Sequence, residues 1–323
     1  KYFKFCQEVS ILGGLLKGYG KEHFSFGKNR FHNLIEFCRD NIVYVDEIKE
    51  SDFLVLPFKF KGINCDIYKK MVKLAKENNK KLICFVVEDN YIPYNIDENV
   101  ILYKPDIVRS LKLENERAFP MIRNDFFQGD ILKNPELSVG FVGCFNNNRD
   151  KYLNCLSNSD IKTDFIKRDG WWGGSSRRNL KKVQDDYYDN LKRNLFHLCH
   201  RGGGNYSYRF YEILMMGRIP IFINTECVLP FEDKINLEDI SILVNEGDLT
   251  EDKKFHHTGS CKDLSLKYEK NLDYLDKLVP IIKEYYNNNK DRLEEIQKNN
   301  RKIWEEYYSS VGFVKNLLKV LHN

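Results

Sequence analysis

The chain lacks the hydrophobic segments that mark membrane and secreted proteins. No stretch reaches the roughly 20 apolar residues that a membrane-spanning helix requires. The opening residues also have no long apolar segment of the signal-peptide kind. We therefore expect no transmembrane segment in this chain. Because the sequence begins with Lys1 instead of Met, the removal of upstream residues, among them an anchor, stays an open alternative.

An excess of charge of one sign is also missing. The chain has 51 Lys and Arg against 47 Asp and Glu, a net charge of +4, and no long basic run. Proteins that bind nucleic acids usually concentrate Lys and Arg in a stripe or a tail. We therefore predict no nucleic-acid partner.

Paired cysteines are absent as well. The nine cysteines occur singly and no CxxC motif is present, so neither a zinc ribbon nor a disulfide framework is predicted. Cys84 and Cys199 lie within apolar runs, where a buried free thiol is the common state. The sequon at 205–207 falls within a glycine-rich motif. These features favour the cytoplasm, with the Golgi lumen as the alternative if an N-terminal anchor has been removed.

The sequence does contain two series of short apolar runs that alternate with helical patterns. Such alternation is typical of α/β folds, and 323 residues suffice for two Rossmann-like domains. In the first series we predict strands at 42–45, 53–56, 82–87 and 100–102, with a helix at 63–79 whose buried face is Ile63, Ile67, Met71, Leu74 and Ala75. In the second series, which follows Asn134-Pro135, we predict strands at 139–142, 163–166, 195–199, 219–223 and 242–244 and helices at 149–156, 187–194 and 207–216. Helices are predicted from Lys267 onward.

The most informative segment lies at 195–231. A buried strand runs into Arg201 and three glycines, and a helix follows with Asn205 or Ser207 as its N-cap. Glycines expose backbone N–H groups, and a helix N-terminus carries partial positive charge. With Arg201 and Arg209 on either side, these groups predict a diphosphate site.

Glu212 lies three residues after Arg209 and therefore shares its helix face. One interpretation is that this carboxylate accepts the hydroxyls of a nucleotide ribose. The other is an internal ion pair between Arg209 and Glu212. The segment fits neither GxGxxG in a first βα unit nor GxxxxGK[ST], so dinucleotide and P-loop sites are disfavoured.

Four pieces of this segment resemble the signature of exostosin-family glycosyltransferases. They are FHLCHRG at 196–202, SYRFYE at 207–212, GRIP at 217–220 and LPFED at 229–233. Looser similarity extends to 51–58, to Asp89 with Pro93, and to 141–143 with Arg149. Two positions depart from the family pattern: His200 replaces a Pro, and Glu88 replaces a His.

The resemblance implies an α/β fold of the GT-B type, with two Rossmann-like domains facing a cleft and C-terminal helices that pack back on the first domain. Residues 1–133 would form the acceptor domain, 134–300 the donor domain, and 301–323 the returning helix. The activity implied is inverting transfer from a UDP-sugar to a hydroxyl of a glycan acceptor, with no cofactor and no metal required. Xylose, galactose, glucuronic acid and arabinose are the donor sugars that the family suggests.

Site residues follow from the same resemblance and from the charge pattern. The residues expected to bind the donor are Gly143, Arg149, Arg201, Gly202, Ser207, Tyr208, Arg209 and Glu212. Inversion needs a general base, for which Asp89 is the first candidate and Glu88 the second. Either carboxylate could equally cap the turn after its strand. Because a His is missing at position 88, a non-catalytic glycan- or partner-binding protein stays an alternative, as does a GT-B transferase with another nucleotide.

Three further features were considered for ligand contact. Trp171 and Trp172, between glycines, could cover a sugar or base, or one of them could fill the core between domains. His23 is a candidate for the acceptor side, although a packed or surface histidine is the commoner case. His256 and His257 have no partners at ligand spacing, so a metal site is not predicted there.

Overall fold

A computed structural model describes residues 32–43, 45–86, 89, 93–145, 149–170, 173–174, 179–246 and 273–322. The described residues form two compact α/β units. The first contains the chain up to Asp125, the short segment Cys227–Phe231 and the C-terminal part from Glu305. The second contains Phe126–Glu226 and Glu232–Trp304. The predicted α/β class, with two units that each contain a parallel sheet, is confirmed.

The sheet of the first unit has four parallel strands in the order β1-β2-β3-β4. They are β1 (Phe53–Val55), β2 (Lys81–Phe85), β3 (Val100–Lys104) and β4 (Glu116–Ala118), accompanied by the helices α1 (His32–Asn41) and α2 (Asp66–Glu77). Because side chains alternate along a strand, β2 contributes to two hydrophobic clusters. Ile83 and Phe85 pack with α1 and the C-terminal helix, whereas Leu82 and Cys84 pack with α2.

Three features of this unit differ from the sequence-based expectation. Residues 42, 43 and 45 form no strand, because Ile42 ends α1 by donating its N–H to Cys38 O at 2.9 Å, and Val43 is 78% exposed. The buried face of α2 is formed by Tyr68 and Ala75, whereas Ile67 is 51% exposed. An edge-to-face contact of 5.0 Å between Tyr68 and Phe60 accompanies this rotation of the helix. Strand β4 was not predicted, since its three residues are mostly polar.

The sheet of the second unit has five parallel strands in the order β6-β5-β7-β8-β9. They are β5 (Ser138–Cys144), β6 (Lys162–Arg168), β7 (Phe196–Cys199), β8 (Ile219–Asn224) and β9 (Ile242–Asn245). The helices are α3 (Arg149–Ser157), α4 (Leu180–Arg193), α5 (Tyr208–Met215), α6 (Asp273–Asn289) and α7 (Leu293–Ile303). The core is formed by apolar residues of β5, β7, β8 and β9 with α3, α6 and α7.

The C-terminal part of the chain changes units at a short π-helical turn, Trp304–Tyr308. After it, α8 (Ser310–His322) contributes Phe313, Val314 and Leu317 to the core of the first unit. The predicted return of the C-terminal helix is therefore confirmed. The roles assigned to residues 1–133 and 134–300 as acceptor and donor domains stay predictions. None of the helices in the described ranges is long and apolar enough to cross a membrane.

Candidate functional site

The strand order of the second unit creates a switch point between β5 and β7. From β5 the chain proceeds outward to β6, and it then returns to place β7 on the other side of β5. In open parallel sheets, ligands bind where the carboxyl ends of two such strands diverge. Here β5 leads to α3 and β7 leads through the glycine-rich loop to α5. Of the predicted donor-binding residues, Gly143 lies near the end of β5 and the others follow β5 or β7.

Arg209 lies in the first turn of α5 and points back to the end of β5. Its Nη2 donates a hydrogen bond to Val142 O, and its guanidinium lies 3.9 Å from the centroid of the Phe141 ring. Gly143 has φ of +155°, and a Cβ added to it would lie 3.2 Å from Arg209 Nη2. A side chain at position 143 would therefore combine backbone strain with a displaced Arg209.

Arg149 begins α3 and is buried beside the same loop. Its Nη2 donates to Arg201 O at 2.7 Å, and its Nη1 lies 3.5 Å from Cys144 O. Burial, the largest cause, acts together with the nearby charges of Arg209 and Arg201 to lower the pKa of Arg149 to about 10. The positive charges of Arg209 and Arg201 are thus close enough to Arg149 to disfavour its charged form. An anion bound among them would offset their repulsion.

The loop between β7 and α5 is held by its own hydrogen bonds. Gly202 N donates to Tyr206 O at 3.0 Å, which closes the turn over the three glycines. Ser207 occupies the N-cap position of α5, but its side chain makes no capping hydrogen bond. It instead forms a hydrogen bond with the thiol of Cys199, whose pKa burial raises to about 11. Tyr208 packs against Tyr206, with ring centroids 5.9 Å apart.

Glu212 lies one turn beyond Arg209 and is buried. Its Oε2 accepts a hydrogen bond from the hydroxyl of Tyr187 on α4, at 2.5 Å. Burial raises the pKa of Tyr187 well above its usual range, and the negative charge of Glu212 raises it further. Tyr187 therefore stays a neutral donor at physiological pH. No sequence pattern indicated this tyrosine, because only the packing of α4 brings it to the site.

A second group that sequence reasoning missed lies under the loop. His200 Nδ1 is 3.2 Å from Arg201 O, and its Nε2 is 3.6 Å from Oε2 of Glu246, the residue after β9. Lys151 Nζ binds the other carboxylate oxygen of Glu246 at 2.6 Å. Burial alone raises the pKa of Glu246, but the contacts with His200, Lys151 and Tyr152 outweigh it and lower the pKa to about 2. Glu246 is therefore ionised.

The remaining predicted residues are not part of this cluster. Asp89 lies in the first unit, four residues after the end of β2, and its side chain is exposed. Glu88, Trp171, Trp172 and His23 lie outside the described residues, as do His256 and His257. Among the residues that the structure does describe, no group of three or more His, Cys, Asp or Glu side chains could hold a metal ion.

Comparison with known proteins agrees with the class of protein that this site suggests, a glycosyltransferase. Residues 146–258, about a third of the chain, match the sequence profile of the Exostosin GT47 domain family. The match includes the glycine-rich loop, α5 and the LPFED motif. The resemblance to exostosin-like glycosyltransferases is therefore confirmed.

Curated relatives match over a shorter region. The chain is 41% identical over 63 residues to the Arabidopsis thaliana protein named "Probable beta-1,4-xylosyltransferase IRX10L". It is 40% identical over 63 residues to the rice (Oryza sativa subsp. japonica) protein named "Probable glucuronosyltransferase GUT1". Each alignment covers 20% of this chain and 15% of the relative. The relatives named here are thus all glycosyltransferases.

Among solved structures, the crystal structure of the GtfA/B complex bound to UDP and GlcNAc is similar to this chain. The TM-score is 0.31 at 11% sequence identity, over 90% of this chain and 60% of the other.

Proposed function

We propose that this protein is an inverting glycosyltransferase that moves a sugar from a UDP-sugar to a hydroxyl of a glycan acceptor. The donor sugar is of the xylose, galactose, glucuronic acid or arabinose type. The observation that carries the proposal is the convergence of Arg149, Arg201 and Arg209 at the switch point of the second sheet. The three arginines lie within the segment that matches the Exostosin GT47 domain, which supports a nucleotide sugar as the anion that they bind.

In this proposal the three arginines bind the diphosphate, which is also the leaving group. The loop with Gly202 and the N-terminus of α5, from Ser207 and Tyr208, adds backbone N–H groups and partial positive charge. When the glycosidic bond breaks, its electron pair passes to the diphosphate oxygen. Fixed cations stabilise the charge that develops there. Such neutralisation is the basis for proposing that no metal is required.

Glu212 is proposed to accept hydrogen bonds from the ribose hydroxyls. In the ligand-free protein this carboxylate accepts a hydrogen bond from Tyr187. A carboxylate has several acceptor positions, so Tyr187 can orient Glu212 while a ribose hydroxyl also donates to it. The ribose role therefore does not require that the contact with Tyr187 be broken.

The acceptor hydroxyl needs a base, and Asp89 is proposed for this role. The hydroxyl oxygen attacks the anomeric carbon, its proton passes to the carboxylate, and the bond to UDP breaks on the opposite side. The position of Asp89 after a parallel strand and its exposure support this role. Glu88 is the second candidate, and Trp171, Trp172 and His23 are proposed for contacts with the sugars.

The proposal is tested by calorimetric binding of UDP, GDP, ADP and CMP in the presence of EDTA. We expect UDP to bind most tightly, and 2′-deoxy-UDP to bind about tenfold more weakly because it lacks one partner of Glu212. In the variant Glu212→Ala this preference for UDP over 2′-deoxy-UDP should disappear.

The other outcomes would lead to different conclusions. A preference for another nucleotide would point to a GT-B transferase with a different donor. If no nucleotide binds but a glycan does, the protein is a non-catalytic glycan-binding relative. An unchanged preference for UDP over its 2′-deoxy form in Glu212→Ala would exclude the ribose role of Glu212.

A further inference from the structure

His200 faces hydrogen-bond acceptors on both ring nitrogens. Its Nδ1 is 3.2 Å from Arg201 O, and its Nε2 is 3.6 Å from a carboxylate oxygen of Glu246. A carbonyl and an ionised carboxylate can only accept. Neutral imidazole has a single N–H and can donate to one of them, whereas imidazolium can donate to both. Protonation of His200 would therefore satisfy both contacts at once.

The charged surroundings of His200 come from three segments. Arg149, Lys151 and Tyr152 face it from α3, Arg201 from the loop, and Glu246 from the end of β9. Burial lowers the pKa of His200 below its usual value, Glu246 opposes this, and Arg149 and Arg201 lower the pKa again. The ring is 1% exposed. Before a ligand binds, the ring is therefore neutral near pH 7 and can donate a hydrogen bond to only one of its two acceptors.

Anion binding at the loop would change this balance. Arg149 and Arg201 are the cations that oppose protonation of His200. The same two arginines are proposed to bind the diphosphate. Two negative charges beside them would offset their effect on the ring, while Glu246 would continue to favour imidazolium. Arg201 O, which also accepts from Arg149 Nη2 at 2.7 Å, would then be held by two charged donors.

We propose that His200 is a positioning residue of the donor site that takes up a proton from solvent when the diphosphate of a nucleotide sugar binds. The protonated ring joins Arg201 O to Glu246 and so fixes the loop in its ligand-binding conformation. This inference rests on the proposed function of the same site. It adds a coupling between donor binding and pH.

The sign of the coupling follows from linkage. Because binding makes His200 easier to protonate, the additional affinity is fully present at pH values below the pKa of the free protein. It is lost as pH rises through the higher pKa of the complex. One linked proton changes affinity by at most about tenfold per pH unit.

The test is calorimetric titration with UDP-xylose at pH 7 in buffers of different ionisation enthalpy, which counts the protons taken up on binding. The diphosphate of a nucleotide sugar is esterified at both ends and has no proton to exchange near neutral pH. We expect the wild-type protein to take up a substantial fraction of one proton. UDP-xylose affinity should also fall as pH rises from 6 to 8.

Two variants distinguish a His200 that takes up a proton from a His200 that only packs against the loop. In His200→Asn, the amide can still donate to Arg201 O but cannot titrate, so proton uptake and the pH dependence should vanish while binding at high pH is retained. In Glu246→Gln, uptake should be reduced, because the carboxylate that favours imidazolium is gone. Thermal unfolding checks that each variant is folded, and either one suffices for the test.

The inference fails if UDP-xylose binds without proton uptake, or if uptake persists unchanged in both variants. Absence of UDP-xylose binding to the wild-type protein at every pH would instead refute the proposed function, and the inference with it.

Discussion

Both parallel sheets carry charged residues near the carboxyl ends of their strands, but the charges are arranged differently. In the first unit, Lys104 at the end of β3 is fully buried and lies 3.3 Å from the carboxylate of Glu116 on β4. In the second unit, the buried Arg149 lies near two further cations, Arg201 and Arg209. Its pKa is lowered by burial and by their charges, whereas Glu116 partly offsets the effect of burial on Lys104.

This difference distinguishes a structural cluster from a ligand-binding one. A buried ion pair satisfies its own charges and has no need of a ligand. Like charges held together cost free energy that binding of an anion can recover. The guanidinium groups of Arg209 and Arg149 are held by carbonyls of Val142, Cys144 and Arg201, so these two side chains are positioned by the protein itself. Four substitutions test the comparison.

The largest effect is expected from Glu116→Gln. This change leaves Lys104 buried without its closest counter-charge, and we expect the free energy of unfolding to fall by about 3 kcal/mol. Nucleotide affinity should not change. Denaturant unfolding and UDP calorimetry measure the two quantities. The matched control is Glu136→Gln in the exposed pair with Lys162, which should leave the unfolding midpoint unchanged. A loss of UDP affinity in Glu116→Gln would contradict the structural role.

For Arg209→Ala we expect the reverse of this pattern, a loss of UDP affinity with little change in stability. Loss of a charged donor to the diphosphate should weaken UDP binding by about 2 kcal/mol, or roughly 30-fold. Stability should change little, because removal of Arg209 also relieves its repulsion with Arg149. The control is Arg292→Ala, at an exposed arginine paired with Glu295, for which UDP affinity should be unaltered. Equal affinities for both variants would show that Arg209 does not contact the nucleotide.

A smaller loss of affinity is expected for Gly143→Ala. The new Cβ would lie 3.2 Å from Arg209 Nη2 at a backbone with φ of +155°, so we expect UDP to bind about tenfold more weakly. Gly129→Ala is the control, since Gly129 also has positive φ but open space around it. That variant should lose stability without losing UDP affinity. If both variants bind UDP as the wild type does, the contact between Gly143 and Arg209 has no functional role.

The smallest effect is expected for Tyr187→Phe. The hydroxyl that donates to Glu212 is lost, which should lower the free energy of unfolding by about 1 kcal/mol. UDP affinity should change by less than about threefold, because Glu212 remains available to the ribose. Calorimetry and denaturant unfolding provide both numbers. A complete loss of UDP binding would instead make Tyr187 itself part of the nucleotide site.

Most of the second unit could be predicted from sequence because its apolar runs are long and its glycines mark the turns. The helix that follows the loop, for example, is predicted at 207–216 and observed at Tyr208–Met215, just before Gly217 with its φ of +66°. The strands of the first unit were harder to predict from sequence. The segment 42–45 has the composition of a strand, but Ile42 follows α1 directly, and residues 42, 43 and 45 pair with no strand. Strand β4 is short and mostly polar, and its buried Glu116 is paired with Lys104 of the neighbouring strand, a contact that the local sequence does not indicate.

The sequence by itself determined the α/β class, the glycine-rich loop and the similarity of residues 146–258 to the Exostosin GT47 domain, since all three depend on residues close together in the chain. Only the tertiary structure decided what surrounds that loop. Arg149 begins α3, Tyr187 lies in the middle of α4 and Glu246 follows β9, and the packing of these elements in the second unit brings the three residues to the loop. Charge repulsion, burial and the pKa of His200 depend on these distant neighbours, so no local pattern could predict them.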